Sequence, residues 1–255
     1  MPAPTARETG KAANPYVGPG PFSQADTYRF FGRDREAAEL YSLVAAHRSV
    51  LLYAQSGAGK TSLLNAGLIP LLEKGGFDVL PAARVSQLTG DRALPDGISN
   101  VYILNVALAW AMPNTTDEED SLLEATLERV LKDRPRKMGA NDEPLPRVLV
   151  FDQFEELFTA YPERWQERRG FFEQVDEAMS ADPTLRALFA MREDFVAHID
   201  PYEDLLPEEF RTRYRLKALL GRLVNATTWL QELYEENLAW LMPCYELEFS
   251  LVKVA

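Results

Sequence analysis

Several things are scarce in this sequence, and each scarcity excludes something. In 255 residues there is one cysteine, Cys244, and there are two histidines, His47 and His198. A single thiol cannot form an internal disulfide. Two distant histidines and one cysteine give no zinc-ligand spacing. No apolar run is long enough to span a bilayer, which excludes a helical membrane anchor within this sequence. The first residues, MPAPTARETGKAANPYVGPGPF, lack the apolar core of a signal peptide, so a cytoplasmic location is the default. Positive charge is also short. Lys and Arg number 27 against 39 Asp and Glu, a net charge of −12. A field of that sign repels phosphate backbones and argues against broad nucleic-acid binding. The basic stretch Arg129, Lys132, Arg134, Arg136 and Lys137 reads as a solvated loop rather than a docking patch.

What is present is concentrated in Ser49 to Leu64, SVLLYAQSGAGKTSLL. Val50 to Tyr53 is an apolar run suited to a buried strand. A Gly-rich turn follows, then a helical pattern with Leu63, Leu64, Ala66 and Leu68. Strand, Gly-rich turn and helix make the layout of a P-loop. Successive backbone N–H groups must turn inward to cradle phosphate oxygens, which Gly57 and Gly59 permit because they lack Cβ. The helix then aims its unpaired N–H groups and positive dipole end at the same anion. The stretch Gln55-Ser56-Gly57-Ala58-Gly59-Lys60-Thr61-Ser62 is therefore the expected phosphate cradle. Lys60 supplies a charge for the terminal phosphates and Thr61 a hydroxyl for Mg²⁺. One position departs from the pattern: Ala54 stands where G-x-x-x-x-G-K-[ST] has its first glycine. Ala is small enough to leave a strand there if its φ stays negative.

A second stretch, RVLVFDQFEELF from Arg147 to Phe158, begins as a central parallel strand. It ends in Asp152, at the strand end where ligands bind in such sheets. Asp152 is the expected second metal-site residue. Glu155 or Glu156 could polarise an attacking water as general base, and spacing does not choose between them. A third strand, Leu185 to Met191, ends in Arg192, which could read the γ-phosphate or could pair with Glu193 or Asp194. Upstream, Phe31, Gly32 and Arg33 precede a helix striped with Ala37, Leu40 and Val44. They are either part of an adenine site or plain core residues.

The remaining expectations concern organisation. Residues 1–13 read as a disordered N-terminus, 14–216 as the nucleotide-binding domain and 217–255 as a helical tail, with a truncated lid as one reading of it. Phe77 to Val85 reads as a second strand. Val101 to Leu108 is a buried helix or strand. Thr116-Asp117-Glu118-Glu119 is a capping box opening a helix with Leu123, Leu127, Val130 and Leu131 on one face. Trp165, Phe172, Val175 and Met179 form a core helix stripe. Thr212 to Leu216 is a last strand, Met242-Pro243 stops the tail helix, and Tyr245 to Leu251 alternates like a strand. The fold class is α/β, a three-layer P-loop NTPase sandwich with a mostly parallel five-stranded sheet.

Taken in order, NPYVGPGPF, FFGRDRE, AQSGAGKTS, VLVFDQFEELF and FAMREDF resemble the STAND NTPases, signal-transduction ATPases with numerous domains. The likeness is to the bacterial novel-STAND type and runs from about residue 14 to 216. The Asp-Gln-Phe-Glu-Glu and Arg-x-Asp-Phe strand ends carry it most specifically. The resemblance implies that Phe31, Gly32 and Arg33 contact the adenine side of ATP and that Arg192 senses the γ-phosphate. It implies ATP/ADP and Mg²⁺ as ligands. It also implies slow intrinsic turnover, self-oligomerisation or effector and sensor proteins as partners, and a switch role in signalling or anti-phage defence. The alternatives are a nucleotide-binding interaction scaffold without turnover, a truncated inactive fragment, and, more remotely, a small-molecule P-loop kinase.

Overall fold

The computed structural model describes residues 20–86, 97–110 and 125–218. The chain divides into two units, Met1–Leu216 and Lys217–Ala255, and the described residues fall almost wholly in the first. The readings of residues 1–13, the capping box at Thr116, the tail helix and the strand at Tyr245 to Leu251 lie outside the described residues.

Five strands form one parallel sheet: β1 (Ser49–Ala54), β2 (Asp78–Val79), β3 (Arg147–Phe151), β4 (Arg186–Arg192) and β5 (Arg213–Arg215), in the order β2-β3-β4-β1-β5. The fold class is thus α/β with an all-parallel five-stranded sheet. Between them run α1 (Asp34–Ala46), α2 (Lys60–Ser62, Leu63–Leu68 and Ile69–Lys74 in succession), α3 (Val101–Trp110), α4 (Leu127–Lys132), α5 (Glu156–Thr159) and α6 (Glu167–Ala181). From β1 the chain crosses to the far edge, β2, and then returns through β3 and β4. Parallel crossovers are right-handed, so this reversal sends successive connections to opposite faces. The helix leaving β1 packs on one face, together with α1, while α3, α4 and α6 pack on the other. A crevice opens at the carboxyl ends where the direction changes.

Side-chain alternation assigns the two layers. Val50, Leu52, Val148, Val150, Leu188 and Ala190 face α1 and α2, whereas Leu51, Leu149, Phe151, Ala187, Phe189 and Met191 face α3 to α6. Strands buried on both faces read as continuous apolar runs, which is why β1, β3 and β4 were visible in the sequence.

β3 is a central parallel strand as expected, paired with β2 on one side and β4 on the other. Three expectations are corrected. The second strand is two residues long, with one further bridge from Ala83 to Phe151. Pro81 lies between these two stretches and has no N–H to donate to a ladder. The helix that carries Leu127 starts there: Thr126 is extended and its hydroxyl accepts from the Arg129 N–H, so the face does not run back unbroken to Leu123. Trp165 is 56% exposed, because it lies in the turn between Pro162–Arg164 and α6, whereas Phe172, Val175 and Met179 are buried as expected. The middle of α2, Leu63–Leu68, also winds as a π-helix, which no periodicity argument anticipated.

Candidate active site

The loop after β1 has the backbone that its glycines allow. Gly57 and Gly59 take φ of +75° and +90°, conformations that an L side chain rarely adopts. Ala54 is fully buried at the end of β1 and keeps a negative φ, so the missing first glycine costs the loop nothing. The Ala58 N–H donates to the Gln55 carbonyl at 3.2 Å, closing the turn.

Across the crevice, Thr61 and Asp152 meet. The Thr61 hydroxyl donates to Asp152 Oδ2 at 2.8 Å, joining residues 91 apart in sequence. Asp152 Oδ1 accepts from the Gln153 N–H at 2.9 Å, and the carboxylate is buried. One carboxylate and one hydroxyl are hard oxygen donors. They suit Mg²⁺, which keeps several waters and shares phosphate oxygens rather than filling an all-protein cage. Consistently, among the described residues there is no cluster of three or more His, Cys, Asp or Glu that would hold a metal by itself.

Ser56, Gly57, Gly59, Lys60, Thr61 and Ser62 line a cavity of about 330 Å³ together with Glu155 and Arg192. Lys60 is buried and donates to the Ala54 carbonyl at 3.3 Å. Burial pushes its pKa down, while Glu155 and Asp152 act to hold the ammonium charged. Burial pushes the Glu155 carboxyl up, opposed by backbone N–H groups and by Lys60. Glu155 Oε2 accepts from the Arg192 N–H at 3.1 Å, which fixes it at the end of β4.

The two glutamates left open by the sequence have different surroundings. Glu155 faces the cavity, and Glu156 is taken by the Ser86 hydroxyl on another element. Arg192 both lines the cavity and forms a two-pronged pair with Asp194, at 3.0 and 2.6 Å, with its guanidinium near the Phe195 ring. Of the two sequence readings, the pairing with Asp194 is the one observed, and the side chain also borders the cavity.

The upstream segment is divided. Phe31 is 71% exposed and Gly32 turns the chain with φ +81°. Arg33 is buried behind the loop, donating to the Ala58 carbonyl and to Glu36, each at 3.0 Å. It steadies the cradle from below and is not among the side chains lining the cavity.

Sequence reasoning missed four lining residues. Gly20 and Pro21 border the cavity, and the next residue, Phe22, donates its N–H to the Ser62 hydroxyl at 3.2 Å. Gln153 also lines it, with a left-handed φ of +52° directly after Asp152. Arg84 is the fourth. The logic that flagged Arg192, a cation just past a strand end, would have found it.

Residues 15–224 match the model of the family described as Novel STAND NTPase 1. No curated protein matches the chain. Among solved structures, it is similar to a Walker-type ATPase of Pyrococcus abyssi, with 15% sequence identity and a TM-score of 0.48 over 80% of this chain. This chain spans 60% of the length of that protein. Among the described residues, no helix is long and apolar enough to cross a membrane.

Proposed function

We propose that this chain, which belongs to the Novel STAND NTPase 1 family, binds ATP with Mg²⁺ and hydrolyses it slowly as the switch domain of a signalling or defence protein. The observation that carries the reading is the Thr61–Asp152 hydrogen bond, which brings the end of β3 against the start of the P-loop helix. In the proposal the loop amides and Lys60 hold the phosphates. Thr61 and Asp152 would hold the metal, which would supply positive charge to offset that of the phosphates. Glu155 is favoured over Glu156 as the residue that orients water and accepts its proton, because only Glu155 faces the cavity. Arg192 leaves Asp194 to contact the γ-phosphate. Gly32 and Phe31 border the adenine, with Arg33 supporting the loop. A second arginine from a neighbouring copy would complete the charge stabilisation, a contribution worth about 10³ to 10⁵ in rate where such residues act. Residues 14–216 would be the working domain and 217–255 an appended segment, in a cytoplasmic protein with effector or sensor partners.

A thermal-shift series tests this. At a hundredfold excess over Kd, a nucleotide should add about 2.7 kcal/mol, roughly 5–10 °C in Tm for a domain of this size. ATP with Mg²⁺ and ADP should both raise Tm, and phosphate release should disappear in Lys60→Ala. No shift with either nucleotide would overturn the reading. The paired state of Arg192 and Asp194 favours a second reading, a nucleotide-holding scaffold without turnover. A shift accompanied by no phosphate release, unchanged in Asp194→Asn, would select it.

A further inference from the structure

Arg84 leaves the sheet at the level of the metal-site acid. The Ala83 N–H donates to the Val150 carbonyl at 2.8 Å, and the Asp152 N–H donates to the Ala83 carbonyl at 2.9 Å. Arg84 therefore emerges beside Asp152, past the carboxyl edge of the sheet. It lines the phosphate cavity with Lys60, Glu155 and Arg192. It also lines a second cavity of about 460 Å³, which Thr61 and Asp152 border from the metal side. Arg84 thus borders both cavities, as Thr61 does.

Its bonding sets it apart. A guanidinium presents five N–H donors in a rigid fork, and those without a protein partner are open to a ligand. The other cations of the cavity are engaged: Lys60 with the Ala54 carbonyl and Arg192 with Asp194. Buried arginines elsewhere are engaged too, Arg147 with Asp78 and Arg33 with Glu36. Arg84 is half-buried and makes no hydrogen bond or ion pair with any described residue. The residue borders space next to both the phosphate cradle and the metal pair.

We propose that Arg84 binds the terminal phosphate of the nucleotide from the metal side and so lets the site tell a triphosphate from a diphosphate. The proposal rests on the ATP reading above. The placement selects the terminal phosphate because the loop amides around Gly57 and Gly59 serve the inner ones, whereas Arg84 shares its second cavity with Thr61 and Asp152 and not with those glycines. A planar, two-pronged donor matches a phosphate face in a way that an ammonium does not.

The test compares calorimetric affinities for Mg²⁺ with a non-hydrolysable ATP analogue and for Mg²⁺ with ADP. Arg84→Ala should weaken analogue binding by about tenfold to a hundredfold, the range for a lost charge-assisted hydrogen bond. ADP affinity should stay within about twofold, and Arg84→Lys should restore only part of the loss. Lys60→Ala should weaken both ligands, which marks the difference between holding any nucleotide and reading its last phosphate. Equal affinities of Arg84→Ala and the unaltered protein for the analogue would overturn the proposal, as would an equal loss for both ligands. A large fall in the ligand-free Tm of both Arg84→Ala and Arg84→Lys would overturn it too, by assigning Arg84 to the architecture. If the unaltered protein bound neither nucleotide, the ATP reading itself would fall, a result read from that protein alone.

Discussion

The two faces of the sheet are packed with different materials. The layer against α1 and α2 is aliphatic and small, with Val50, Leu52, Ala54, Ala58, Leu63, Leu64 and Leu68 at its centre and, among the described residues, Phe77 as its one buried ring. The layer against α3 to α6 is aromatic: Trp110, Phe151, Phe154, Phe171, Phe172, Phe189 and Phe210 touch one another in a continuous cluster. The difference follows from what each layer supports. The P-loop helix has to approach the sheet closely so that the loop backbone forms the cradle. At Gly67 an added Cβ would lie 3.1 Å from the Phe30 ring, so even a methyl group is tight in that layer. The other layer positions side chains. Phe154 is fully buried between Phe151 and Phe189, with Gln153 before it and Glu155 after it. The phosphate half of the site is thus held by backbone and small residues, and the acid half is aimed by rings.

The largest effect should separate the two glutamates within the acid half. Glu155→Gln should reduce phosphate release by about 10² to 10⁴, the range for losing a general base. Glu156→Gln, which exchanges a carboxylate for a carboxamide against Ser86, should reduce it much less. The pH profile gives the same answer independently. A base must be deprotonated, and burial raises the Glu155 pKa. Turnover should therefore fall with acidification at a higher pH than an ordinary carboxylate would give. The sign reverses for stability. A raised folded pKa favours the neutral form, so that contribution is full below the unfolded value and lost as pH rises through the folded one. At neutral pH the charged Glu155 is a burden, and Glu155→Gln should raise the ligand-free Tm by about 1–2 °C, a modest gain because the group keeps solvent access. Equal losses of turnover in the two variants would break the assignment.

Next in size is the buttress. Phe154→Ala should cost about 3–5 kcal/mol of stability, the range for deleting a core ring. Below its lowered Tm it should retain ADP binding more than turnover, since the cradle belongs to the other layer. Loss of ADP affinity in proportion to turnover would show that the halves are not separable.

The contrast between the layers also explains what was legible in the sequence. β1, β3 and β4 were readable because burial on both faces makes unbroken apolar runs. The Gly-rich loop and its meeting with Asp152 were readable because residue types at fixed offsets match what phosphate and metal chemistry would require. The choice between Glu155 and Glu156 was not, since it turns on the left-handed backbone at Gln153 and on tertiary partners, the Arg192 N–H and Ser86, that spacing does not contain. The short β2 was overread because apolar residues continue past Pro81 for the sake of the core, while the ladder needs an N–H that proline lacks. Spacing left Arg33 open between an adenine site and the core. Its burial beneath Ala58 depends on the turn at Gly32.

That position supplies the counterpart to Phe154. Arg33→Ala removes the donor to the Ala58 carbonyl and leaves Glu36 buried without its guanidinium. Breaking one side of a buried pair should cost about 3 kcal/mol. The functional loss should fall on nucleotide affinity first, because the loop is what it steadies. Calorimetry with ADP would detect this, and an unchanged ADP affinity with impaired turnover would invert the comparison.

The smallest effect probes the joint between the halves. Gln153 is held at φ +52°, a conformation that costs a non-glycine residue about 1 kcal/mol or more. It persists because the flanking residues are fixed on both sides. The Gln153 N–H is spent on Asp152 Oδ1, and the Phe154 N–H on the Ala190 carbonyl at 2.8 Å. Gln153→Gly relieves the strain but frees the unfolded chain, so the two terms partly offset and the net gain should be at most about 1 kcal/mol. The side chain that lines the cavity is lost in the same change. If Gln153 contributes only its backbone, Tm rises and turnover is kept; if the amide also contacts phosphate or water, Tm rises while turnover falls. A drop in Tm would contradict the strain argument, because it would mean that the side chain's contacts outweigh the cost of its backbone.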